Sequence, residues 1–142
     1  MYLTAYSGSF YGSWNFPQNV SAAAEMSIDS DFNKKNTINK LTDSYENLFN
    51  LLIPVTYKYN NGTSDRLHTG FIAQDIENAL TQSNLTSQDF AGLVIDTNAE
   101  TNEVTYRLRY GEFVSLNTWQ IQKLKARVLE LENKILELEA KL

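Results

Sequence analysis

The 142-residue chain is 42% hydrophobic and 20% charged with only two prolines, the make-up of one folded domain plus extensions and not of a disordered tail. A formal net charge of −5 argues against a phosphate-neutralising face and so against nucleic acid as a partner. With no cysteine and a single histidine, His68, there is no disulfide, no thiolate chemistry, no multi-histidine metal cage and no cofactor motif, and no apolar run reaches the roughly 20 residues of a membrane helix.

Residues 1–29 are rich in Tyr, Phe, Trp, Ser and Gly and poor in charge, a texture suited to short strands and turns packed against a neighbour. They read as the end of a larger β-rich segment lying upstream. At the change of texture stand Ser30 and Lys35. Ser30 and Asp31 are good helix-capping types, with Lys34 and Lys35 as a solvated first turn. A serine hydroxyl and a lysine amine are equally the pair of a nucleophile and its base, provided burial or a nearby cation such as Lys34 keeps the amine neutral. Taken alone, the residues favour the capping reading.

After Asn33, the apolar residues Ile38, Leu41, Tyr45, Leu48, Phe49 and Leu52 recur on one side of a helix of about four turns, which Pro54 ends. "VTYKY" and the stretch Arg66 to Thr69, separated by "NNGTSD", predict a hairpin. Gly70 then opens an amphipathic helix with Ile72, Ile76, Ala79 and Leu80 on its buried face. His68 and Gln74 are read as structural, one closing the hairpin face and the other at the helix start. "AGLVID" predicts a buried strand. In "EVTYRLRY", Val104, Tyr106, Leu108 and Tyr110 take one face of a second strand and Glu103, Thr105, Arg107 and Arg109 the other.

From Gly111 to Leu142 there is no proline and no further glycine, and Ile121, Leu124, Val128, Leu131, Ile135, Leu138 and Leu142 repeat at alternating steps of three and four. Strict a and d spacing predicts a coiled-coil seam. With Ile121 at a, Arg127 and Lys134 fall at g and Glu132 and Glu139 at e, pairs that attract between parallel copies of the same chain. Ile at a with Leu at d is a two-strand pattern. "RVLELE", Arg127 to Glu132, instead resembles the Arg-hydrophobic-x-x-hydrophobic-Glu pattern of trimeric coiled coils, and favours a trimer.

Together, "SDFNKKNTINKL", "HTGFIAQDIENAL" and "YRLRYGEFVSLNTWQIQKLKARVLELENKI" resemble the C-terminal intramolecular chaperone domain of phage endosialidases, tailspikes and tail fibres, over most of Ser30 to Leu142. The resemblance implies an α+β fold: a small mixed helix and strand core over 30–110, then a trimeric coiled-coil helix over 111–142, assembled as a parallel homotrimer. Residues 1–29 would be the end of the fibre that the domain helps to fold. It further implies autoproteolysis between Asp29 and Ser30, with Ser30 as nucleophile and Lys35 as base, and no metal or other cofactor. The family often has Arg and Leu between Asp and Lys, where Phe32, Asn33 and Lys34 stand here, and the spacing selects Lys35. The implied partners are further copies of the chain and its own upstream segment. The upstream part would belong to a virion tail or fibre, and the cleaved domain would be released in the host cytoplasm. A permanent trimerisation tip without proteolysis shares the seam and the core.

Overall fold

The computed structural model describes residues 28–60 and 65–141. Most of the expected fibre end, residues 1–27, therefore lies outside the described residues. Two compact units divide the chain, Met1–Ile38 and Asn39–Leu142.

In the second unit, a helix α1 (Asp43–Leu51) leads to strand β1 (Val55–Tyr57), which pairs antiparallel with β2 (His68–Gly70), with Val55 opposite Gly70 and Tyr57 opposite His68. Helix α2 (Ala73–Gln82) follows. Strands β3 (Leu93–Thr97) and β4 (Val104–Leu108) form a second antiparallel pair, and the 30-residue helix α3 (Tyr110–Glu139) closes the chain. At 1.5 Å per residue, α3 is about 45 Å long. The unit is thus a mixed helix and strand fold with a long C-terminal helix, as the sequence predicts. Among the described residues no helix is long and apolar enough to cross a membrane.

The core collects Leu48 from α1, Ile76, Ala79 and Leu80 from α2, Phe90 and Leu93 from the strand entry, and Phe113 and Leu116 from the first turns of α3. Each fully buried leucine of this set contributes about 1.5–3 kcal/mol by leaving water. Leu93 faces Leu108 and Ile95 faces Tyr106 across β3 and β4, so one face of the pair packs on the core. On the other face Arg107 forms an ion pair with Asp96. Lys123 of α3 forms an ion pair with Glu46 of α1 and lies 4.9 Å over the Trp119 ring.

The element ends have local causes. Asp43 and Glu46 occupy the first turn of α1, where carboxylates favour the helix dipole, and Leu52 turns extended two residues before Pro54. At the end of α2, Leu85 N–H donates to Leu80 O at 2.9 Å and Asn84 N–H to Thr81 O at 3.2 Å, with Asn84 left-handed at φ 56°. This satisfies the last helical carbonyls in the manner of a Schellman cap. Between β3 and β4, Asn98 Oδ1 accepts from the backbone N–H of Glu100 at 2.8 Å and of Thr101 at 3.1 Å.

Three sequence expectations are corrected. The first helix begins at Asp43, leaving Ile38 and Leu41 outside it, because Thr37 is left-handed at φ 52° and Thr42 is extended. Gly70 ends β2 and does not open α2, which starts at Ala73 with Ile72 extended and partly exposed before it. Tyr110 belongs to α3, where its ring stacks on Phe71 with centroids 6.4 Å apart.

Candidate functional site

The stretch at Ser30 is a small turn in which chain geometry fixes the contacts. Phe32–Lys34 form one 3-10 turn capped by Asp31, whose Oδ1 accepts from Asn33 N–H at 2.9 Å and from Asn33 Nδ2 at 3.1 Å. Lys34 N–H donates to Asp31 O and Lys35 N–H to Phe32 O, both at 3.1 Å. Asp31 itself is extended at φ −62° and ψ 133°, and Lys35 leaves the turn extended at φ −118° and ψ 152°. The tight turn thereby folds positions five apart onto each other.

Two such pairs lie side by side. Lys35 Nζ donates to Ser30 Oγ at 2.7 Å, and Lys34 forms an ion pair with Asp29. Asp31 is therefore the cap, and the partner of the Ser30 hydroxyl is an amine. The Lys34 hydrogen bond, then the Asp31 N–H at 3.4 Å from Oδ1, then the charge of Lys35 hold the Asp29 carboxyl below the ordinary carboxylate range. Lys34 spends its charge on Asp29, so it is not the cation poised beside Lys35 that the sequence suggested. All four side chains are exposed in the single subunit.

Chemically, the pair is a hydroxyl and an amine in hydrogen-bond contact, next to the peptide bond between Asp29 and Ser30. In the form drawn here the amine donates. Acting as a base requires the neutral amine, with the hydrogen bond reversed. The Asp29–Lys34 pair was not singled out from sequence, although its spacing of five equals that of Ser30 and Lys35.

The other predicted positions fall elsewhere. Ile121, Leu124, Val128, Leu131, Ile135 and Leu138 form one exposed apolar row along α3. Within the subunit Arg127 and Lys134 both bond Glu130, each at 2.6 Å. His68 stacks on Tyr57 and meets Tyr59 edge-on, with centroids 5.5 and 5.1 Å away, closing the hairpin face. Gln74 is exposed in the first turn of α2, while Phe71 and Ala73 pack on the core. Phe71 N–H donates to Tyr110 Oη at 3.3 Å. A Cβ on Gly70 would run into the Tyr110 hydroxyl, so any larger residue there must displace that ring.

Residues 30–85 match the family model described as chaperone of endosialidase. A crystal structure described as a novel intramolecular chaperone superposes with a TM-score of 0.57, covering 69% of this chain and 99% of that one at 21% identity, and so shares the fold. No curated protein matches the chain significantly. The match begins at Ser30 itself and takes in the turn, α1, the β1–β2 hairpin and α2, so over residues 30–85 this chain is similar to the endosialidase chaperone family.

Proposed function

We propose that the chain is an intramolecular chaperone that assembles as a parallel homotrimer through a coiled coil of α3, assists folding of the β structure preceding it, and then cuts itself between Asp29 and Ser30. The observation that carries the cut is the 2.7 Å hydrogen bond between Ser30 Oγ and Lys35 Nζ beside that bond. The family match and the apolar row on α3 support the rest.

The chemistry balances within one chain. Neutral Lys35 takes the proton of Ser30, and Oγ attacks the Asp29 carbonyl carbon through a five-membered ring. The C–N bond then breaks as the lysine returns the proton to the leaving amine. The resulting ester is hydrolysed by water to an Asp29 carboxyl and a new N-terminus at Ser30. Because nucleophile and target are neighbours, effective molarity supplies much of the rate. Assembly through α3 would likewise raise the local concentration of the upstream segments and hold them in register. On this reading the upstream part is a virion tail or fibre component, and the freed domain stays in the host cytoplasm.

A permanent, uncut tip is the second reading, favoured by the exposure of Ser30 and Lys35 in the single subunit. Intact-mass measurement of the chain carrying its upstream fibre separates the two. Cleavage yields a fragment Ser30–Leu142 of 113 residues, the 142 of the chain less the 29 before Ser30. Ser30→Ala should abolish the fragment and leave the oligomer intact, and a Ser30→Ala chain that still yields it refutes the proposed nucleophile.

A further inference from the structure

Continuing the heptad of Ile121 toward the N-terminus puts Asn117 at d and Val114 at a. Both are exposed, Val114 by 63%. The same turns use another side for the subunit itself. Phe113, Leu116 and Gln120, at g, c and g, are buried, and Lys123, at c, reaches Glu46. These two faces lie about a third of a turn apart around the helix. One helix can therefore fill its own core and present Val114, Asn117 and Ile121 outward at once.

The flanks of the row change along its length. From Lys125 onward the e positions are Lys125, Glu132 and Glu139 and the g positions Arg127, Lys134 and Lys141, all charged. Before that, e is held by the small, uncharged Gly111 and Thr118, while the g residues Phe113 and Gln120 turn into the subunit's own core. Gly111 is the sharper observation. Glycine disfavours a helix relative to alanine, yet a Cβ at this position meets nothing within 4 Å among the described residues. Among the described residues nothing gives a steric reason for glycine here, whereas a closely packed neighbour would.

We infer that Gly111, Val114, Asn117 and Thr118 form an upstream section of the interface between copies of this chain, in which the folded units themselves meet before the charged heptads begin. This rests on the proposed parallel assembly through α3. The occupant is a second copy, because the section lies in register with Ile121 to Leu138 on one unbroken helix. Copies joined by that row are carried into contact here as well. The small e residues let a neighbour approach, and Asn117 supplies one polar layer of the kind that fixes register at a cost in stability.

Sedimentation of the full chain over a range of concentrations tests this. Val114→Asp should raise the concentration at which the assembly dissociates by at least about tenfold. Gly111→Ala should also weaken assembly while raising the melting temperature of the dissociated subunit, a combination that a purely local role for the glycine does not produce. Asn117→Leu should tighten assembly and broaden the range of oligomers. An unaltered chain that stays monomeric overturns both the α3 assembly and this section. An unaltered chain that assembles, is dissociated by Leu131→Asp, and keeps its dissociation concentration in Val114→Asp, Gly111→Ala and Asn117→Leu overturns this inference alone.

Discussion

Leu131→Asp strikes the middle of the α3 row, at a position 43% exposed in the single subunit. Seam formation can remove only that remaining surface from water, so the leucine contributes about 1 kcal/mol per copy, taking roughly 1.5–3 kcal/mol for complete burial. Aspartate adds a larger opposing effect, because in the proposed trimer three carboxylates would converge in one layer, each partly desolvated and each facing two like charges. Allowing only about 2–3 kcal/mol per copy in all, the assembly loses about 6–9 kcal/mol, some four to six powers of ten in its dissociation constant. Leu131 lies outside the core cluster, so near-ultraviolet circular dichroism of the folded unit should be preserved while helicity falls with the loss of support for the C-terminal half of α3. The assay is light scattering coupled to size exclusion, with sedimentation velocity over a dilution series. A Leu131→Asp chain that keeps the mass of the unaltered assembly on dilution refutes the seam.

Three further outcomes follow from the fold and the turn. Gly70→Ala should cost about 1–3 kcal/mol in thermal or urea unfolding through collision with the Tyr110 ring, and Tyr110→Phe in the same chain should recover part of it, since the hydroxyl goes while the ring and Tyr57 remain close. Asp29 should titrate below its ordinary value of 3.8 in carboxyl-carbon NMR and return toward it in Lys34→Ala; because its folded value is depressed, its contribution to the turn is present at neutral pH and is lost as pH falls through that folded value. Lys35→Met should remove the fragment in a gel time course while leaving the oligomer intact, and a Lys35→Met chain that still yields the fragment argues against an amine base.

The parts legible in the sequence are those whose period is set by neighbours along the chain. Alternation gave Tyr106 and Leu108 to the core face of β4, although Val104 at its start lies exposed, and the spacing of Ile76, Ala79 and Leu80 gave the buried side of α2. The start of α1 was not legible, because Ile38 and Leu41 continue its apolar spacing while the backbone at Thr37 and Thr42 has already left the helix. Gly70 reads as the first residue of a helix until Tyr110, forty residues later, is packed against it. The second face of α3 was hidden for a similar reason. Phe113, Leu116 and Gln120 break no heptad, and only burial against the subunit, with α3 packed on α1 and the Phe113 ring on Phe71 and Phe90, gives them a role. At the candidate site, the family resemblance and not the spacing singled out Ser30 and Lys35, because a three-residue 3-10 turn has no period to read, and the competing pair of Lys34 with Asp29 appeared only with the fold.

The contact between hydroxyl and amine is thus a local property. Asp31 caps the turn, the turn brings residue 35 over residue 30, and neither step uses a second copy. The charge on the amine is a different matter, because a lysine acts as a base only when neutral, and burial is the general way to favour that form. In one subunit both side chains face water. If cleavage is to wait until the upstream segment has folded, the controlling event is therefore the covering of a pair already in contact. Leu131→Asp distinguishes the two: a dissociated chain that retains the turn but stops cutting assigns assembly to the covering step, while one that cuts at the unaltered rate places everything needed for the reaction within residues of a single chain.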